Sequence, residues 1–266
     1  MSPTLVVILV AAAFSFAAWI ASLITADFSW VDRLWSVVPV IYAWVFAGFA
    51  SFSNARLDLM GIVVLVWGAR LTFNLARKGG YTGLEDYRWA VLRAEMNSWQ
   101  FQLFNFFFIV FYQNVILVLI TLPALTAYQH RSTAFSALDV VLAILFLACT
   151  VGETVADNQQ WSFQSWKLAE RTAGRPANPR FLQTGLFRFS RHPNYFFELA
   201  QWWIFFFMGA AAADSPVPWT IIGAVLLTLL FIGSTRFTEK ITLSRYPEYS
   251  EYQQRTSPVV PWFTKD

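Results

Sequence analysis

The sequence predicts an all-α polytopic membrane protein with seven transmembrane helices. Three observations carry this. The chain of 266 residues is 57% hydrophobic and 18% aromatic, and only 13% of it is charged, against about 25% in soluble domains. Apolar runs long enough to cross a bilayer recur along the whole chain. Basic residues are confined almost entirely to alternate connections.

The predicted spans are about 5–26, 34–53, 58–77, 101–127, 134–156, 195–213 and 216–236. Each is near the ~20 residues that a helix needs to cross hydrocarbon. The first run has no basic residue before it and exceeds a signal-peptide core of roughly 7–15 residues, so it is read as a retained span. Pro39 falls inside the second span, and Pro123 is placed to kink or end the fourth. Beyond the fifth span, Asp157 to Lys167 reads as a helix leaving the membrane. Thr172 to Pro179, with Gly174, Pro176 and Pro179, reads as a loop.

With seven spans, one side holds Arg33, Arg77, Lys78, Arg88, Arg93, Lys167, Arg171, Arg175, Arg180, Arg188, Arg191, Lys240, Arg245, Arg255 and Lys265. The other holds Arg56 and Arg131. The positive-inside rule then predicts an outer N-terminus and a cytosolic C-terminus. It does not distinguish a bacterial inner membrane from endoplasmic reticulum.

Several function classes are excluded. A net charge of +3 is too small to argue for nucleic acid. The single cysteine, Cys149, excludes an intramolecular disulfide and a thiolate metal cluster. His130 and His192 suggest no metal motif. No βαβ pattern accompanies the glycines, so a Rossmann domain is excluded.

Residues 185–198 are the most informative stretch. Arg188, Arg191, His192, Asn194 and Glu198 crowd the mouth of an apolar helix, with Arg180 upstream. Arginine forks and a helix N-terminus near Pro193 suit phosphates. Arg188 and Arg191 could equally enforce topology at lipid headgroups. Asn194 and Glu198 lie four apart, on one helix face. Glu153 and Asp157 are also four apart, and suit ribose hydroxyls or an amide unless they form a solvated helix end, which fits Asp157 better than Glu153. Arg70 lies inside the third span, seven residues before Arg77 and on the same side of that helix.

Around Glu85-Asp86-Tyr87-Arg88-Trp89 the sequence fits either a site or an interfacial helix with Trp89 and Trp99 as membrane anchors. Asp32 either caps the second span, pairs with Arg33, or faces a lipid-like substrate. The C-terminal Glu239, Tyr246, Tyr249 and Tyr252 suit packing, stacking or donation to a ligand.

Gly185-Leu186-Phe187 through Ser190-Arg191-His192-Pro193-Asn194-Tyr195 to Glu198, followed by Glu239, Tyr246, Tyr252 and Pro261, resembles the steroid 5-alpha-reductase C-terminal domain. Asp27-Phe28-Ser29-Trp30-Val31-Asp32 and Tyr81-Thr82-Gly83-Leu84-Glu85-Asp86-Tyr87-Arg88-Trp89 resemble the DUF1295 branch of that superfamily. The resemblance covers nearly the whole chain.

The resemblance implies a single membrane domain. Residues 1–127 would line a substrate cavity, and 128–266 would hold NADPH on the cytosolic side. It implies hydride transfer to a carbon–carbon double bond conjugated to a ketone, in a hydrophobic substrate drawn from the bilayer among membrane lipids. The cofactor residues implied are Arg70, Glu153, Asp157, Arg180, Asn194, Glu198, Glu239 and Tyr246. Arg88, Arg188, Arg191, His192 and Tyr195 join them from the matched motifs. Asp32, seven residues before Pro39, matches the acid that reaches the substrate carbonyl, and Trp67 matches that acid's tyrosine partner. Aspartate for glutamate shortens the reach, and Trp67 has no hydroxyl. These departures weigh against a steroid as substrate.

Membrane methyltransferases of the isoprenylcysteine carboxyl type carry a similar Arg-His-Pro-Asn-Tyr element and bind S-adenosylmethionine. A methyltransferase, or a non-catalytic lipid-binding protein on the same fold, is therefore the alternative.

Overall fold

The computed structural model describes residues 1–264, so Lys265 in the charge pattern lies outside the described residues. Among these the chain is helical, with no strand. Seven helical stretches are long and apolar enough to cross a membrane: Pro3–Thr25, Trp30–Phe49, Ala55–Arg77, Ser98–Gln129, Ala137–Thr172, Pro193–Ala213 and Ile221–Arg245. The protein is thus an integral multi-pass membrane protein.

Proline decides where two of the spans break. The second span is two helices, α2 (Trp30–Trp35) and α3 (Val38–Phe49). The chain turns at Ser36–Val37, and Pro39 takes the first turn of the new helix, where a missing N–H is harmless. The fourth span begins as α6 (Ser98–Phe104), passes through a π-helical stretch at Asn105–Tyr112, and continues as α7 (Gln113–Thr121) and α8 (Pro123–Gln129). Pro123 therefore ends one helix and starts the next.

The remaining elements are α1 (Pro3–Thr25), α4 (Ala55–Arg77), α5 (Tyr87–Glu95), α9 (Ala137–Thr172), α10 (Pro193–Ala213), α11 (Ile221–Arg245) and α12 (Tyr249–Arg255). The fifth span and the helix expected to leave the membrane after it are one continuous helix, α9.

The chain forms two compact units, Met1–Leu147 with Trp202–Leu227, and Ala148–Gln201 with Thr228–Asp266. In the first, α3 packs on α4 and α7, and α1 packs on α2, α3 and α7. Its interior holds Tyr42, Phe46, Met60 and Trp67. Trp67 and Trp202 meet edge to face with centroids 4.9 Å apart. Glycine permits two close approaches here. A Cβ on Gly209 would lie 2.7 Å from the Pro123 carbonyl oxygen, and one on Gly223 would strike the Leu119 carbonyl. Both meet the chain near the Pro123 break.

Polar contacts also tie this unit together among its buried residues. Asn105, fully buried, donates to Ser22 Oγ at 3.0 Å, a small polar link of the kind that joins helices in lipid. Arg56 Nε and Nη2 donate to Asp139 Oδ1 and Oδ2 at 2.6 and 2.9 Å. The same guanidinium reaches the carbonyls of Thr133 and Ala134. The pair is almost wholly buried, with side-chain exposures of 2% and 0%. The sequence reads Arg56 as a loop charge, but it is the centre of a buried lock.

Candidate functional site

In the first unit, the two segments that resemble DUF1295 motifs dock on each other. Phe28 N–H donates to Glu85 Oε1 at 3.0 Å. Asp86 N–H donates to Ser29 Oγ at 2.9 Å. Trp89 Nε1–H donates to Asp32 Oδ2 at 3.0 Å. Arg93 Nη2 pairs with Glu85 Oε2 at 2.5 Å and lies over the Phe28 ring, 4.9 Å from its centroid. Arg33 pairs with Asp27 Oδ2 at 2.5 Å and donates from Nε to the Gly80 carbonyl.

Several expectations change here. Asp32 does not pair with Arg33, and it sits inside the first turn of α2 rather than at its cap. Trp89 is no membrane anchor. It is 5% exposed and packs with Phe28, Val31 and Phe101, while its indole N–H pairs with the half-buried Asp32 carboxylate. Trp99, at 64% exposed, fits the anchor reading. Arg88 forms a fork on Asp86, with Nε–Oδ1 and Nη2–Oδ2 both 2.9 Å. Asp86 also caps α5 by accepting from Arg88 N–H. Arg70 is half-buried on α4, three turns of which also carry Trp67, Asn74 and Arg77. Arg77 engages Asn74 Oδ1 through Nε and Nη2 at 2.9 and 2.7 Å.

In the second unit, the Arg191–Asn194 motif sits where α10 begins, with Pro193 at its first position. Arg191 Nε and Nη2 donate to Glu239 Oε1 and Oε2 at 2.6 and 3.0 Å. Its Nη1 reaches the carbonyls of Gln253 and Thr256. His192 Nε2 lies 3.1 Å from Glu239 Oε1, and Gln253 Nε2 donates to Glu239 Oε2 at 2.7 Å. Glu239 is thus the hub that binds α10, α11 and α12. The C-terminal tail laces onto the same segment: Arg191 N–H donates to Ser257 O, His192 N–H to Pro258 O and Trp262 N–H to Phe189 O. The Arg191 guanidinium, expected on a phosphate, is engaged by the chain itself. Arg188, in the turn Gly185–Arg188, is exposed.

A second polar face lies on α9 and α10. Glu153, Asp157 and Glu198 are each 4% exposed. Of the two readings the sequence left open for Asp157, the solvated helix end is therefore set aside. Gln201, fully buried, accepts from Thr150 Oγ1 and donates to Glu153 Oε2, both at 2.7 Å. Just beyond, Gln159 Oε1 accepts from Leu186 N–H at 2.9 Å and ties the turn before Arg188 to α9. Tyr195 stacks on His192 with centroids 5.1 Å apart. Asn194 is half-buried, one turn before Glu198. Sequence reasoning passed over Gln201, although an amide in an apolar span is itself a signal.

At the end of α9, Lys167 Nζ donates to the Arg180 carbonyl at 2.5 Å and to Tyr246 OH at 3.1 Å. The Tyr246 phenol is held below its ordinary range, chiefly by this hydrogen bond from Lys167 and against partial burial. Tyr249 and Tyr252 are pushed up, chiefly by burial.

The family model "Protein of unknown function (DUF1295)" matches residues 18–256. The chain belongs to the DUF1295 family. That family is a steroid 5-alpha-reductase-like branch. A relative, "Uncharacterized protein C594.04c" of Schizosaccharomyces pombe (strain 972 / ATCC 24843), is 37% identical over 259 residues, covering 91% of this chain and 75% of its own length. No solved structure matches. The family match spans both docked motifs of the first unit and the Glu239 hub of the second.

Proposed function

We propose that this protein is an integral-membrane NADPH-dependent reductase of a lipid-like enone, with a cytosolic C-terminus. The observation that carries the reading is the buried acid face of Glu153, Asp157 and Glu198. Carboxylates sunk in a membrane helix bundle are costly unless they serve an internal network or a ligand. As acceptors they suit ribose hydroxyls and a carboxamide, and Asn194 adds an amide one turn from Glu198. Exposed arginines 180 and 188 at the solvent end suit phosphates. The donor set therefore fits a dinucleotide.

Bound NADPH would supply hydride to the conjugated double bond. Gln201 donates to Glu153 Oε2 and so holds that carboxylate in one orientation. Glu239 fixes Arg191 and His192, and so sets the start of α10 and the position of Asn194. Asp32, steadied by the Trp89 indole, is the acid proposed to donate toward the developing enolate.

The test is equilibrium binding of NADPH, NADH and S-adenosylmethionine to protein purified in mild detergent. NADPH is expected to bind most tightly. Asn194→Ala is expected to abolish turnover and weaken NADPH by ~1–3 kcal/mol, the cost of an unpaired buried partner. Binding of S-adenosylmethionine without NADPH would overturn the reading in favour of a methyltransferase.

A further inference from the structure

We propose that Lys167, Arg171, Arg180 and the Tyr246 hydroxyl form a binding site for a dianionic phosphate group. Lys167 and Arg171 are four apart near the end of α9 and so share a face. Lys167 is buried, 7% exposed, and spends its ammonium on a carbonyl and a phenol. It also lies over the Tyr246 ring, 4.7 Å from the centroid. Arg171 Nη2 reaches the same hydroxyl at 3.4 Å. The Arg180 guanidinium carbon stands 6.0 Å from the centre of that ring. Three cations therefore converge on one tyrosine.

The protein does not balance them. The one carboxylate that pairs with these cations among the described residues is Glu248, at 3.4 Å from Arg180. Both partners are exposed, so the pair contributes little. Glu170, next to Arg171, is engaged by Arg175 through two contacts of 2.7 and 2.8 Å. The C-terminus of α9 offers only about half a negative charge. Like charges this close repel, and an anion of charge near two would offset them. Two exposed guanidinium forks, an ammonium and a phenol O–H are the donors a phosphate accepts. The lowered Tyr246 phenol reports the same positive field.

That chemistry has two sources, the ribose phosphate of NADPH, which rests on the reductase reading, and a phosphate-monoester lipid headgroup. Two measurements separate them on wild type, Arg171→Gln and Tyr246→Phe, with folding checked by thermal unfolding. Arg171 is exposed and Tyr246→Phe keeps the ring, so both variants are expected to fold.

The first measurement is the Kd for NADPH and for NADH. A loss of NADPH affinity in Arg171→Gln of about tenfold, with NADH unchanged, assigns the ribose phosphate. The second is retention of phosphatidic acid from mixed phosphatidylcholine micelles. Loss of that retention, with both dinucleotides unaffected, assigns the headgroup. If wild type binds neither dinucleotide, the reductase reading fails, and the lipid arm alone decides the site. Variants that bind both phosphate probes like wild type overturn the proposal.

Discussion

Trp89 donates its indole N–H to the Asp32 carboxylate at 3.0 Å, across 57 positions of sequence. The contact fixes α5 on α2 and gives Asp32 one fixed oxygen and one other. Asp32→Asn is expected to leave NADPH affinity unchanged and lower turnover by at least ~10²-fold, the low end for a general acid or oxyanion donor. Trp89→Phe keeps the ring in its cluster and should lower turnover too, through misorientation of Asp32. Near-normal turnover of Asp32→Asn on any accepted enone would return the residue to a structural role.

The Arg56–Asp139 lock makes a prediction about stability alone. Arg56→Met leaves a buried carboxylate without its cation and is expected to cost ~3–5 kcal/mol. Combining it with Asp139→Leu should restore most of the loss, because no charge is then left uncompensated. Denaturant unfolding in a single detergent reads both. Equal losses in the single and double variants would argue against the lock.

The tyrosines predict an ordered alkaline titration. Tyr246 is lowered and Tyr249 and Tyr252 are raised. The Tyr246 contribution to stability is therefore present above the unfolded value of about 10 and is lost as pH falls through the folded value. The Tyr249 and Tyr252 contributions are full below about 10 and are lost as pH rises beyond it. Phenolate absorbance should begin at lower pH in the wild type than in Tyr246→Phe, where that first step should vanish. A first step that survives the substitution would reassign it to another tyrosine.

Topology is predicted from the charges. Reporters fused after the C-terminus should be active only in the cytosol, and tags at the N-terminus should be reached from outside. The reverse pattern would require the loop charges to be outweighed.

The spans were legible because hydrocarbon thickness imposes length and composition on each helix alone. The break at Ser36–Val37 and the π-helical stretch at Asn105–Tyr112 were not, because they answer to neighbours such as Ser22, which meets Asn105. The acid residues were legible for the reason that charges in spans are rare. Their partners were not. Arg191 looks like a phosphate ligand until Glu239, 48 positions on, is seen to hold it. Trp89 looks interfacial until Asp32 is found beside its N–H.

The first unit is made from two separated pieces of chain, Met1–Leu147 and Trp202–Leu227. The later piece supplies Trp202 for Trp67, Gly209 for Pro123 and Gly223 for Leu119. Synthesis runs from the N-terminus, so the first four spans enter the bilayer before any of these partners exists. They must wait there with their mating surfaces against lipid while the ribosome makes residues 148–201. Assembly of this unit is therefore a late event in biogenesis. A chain truncated before Trp202 should insert its early spans yet leave them open to capture by membrane chaperones and quality-control proteases.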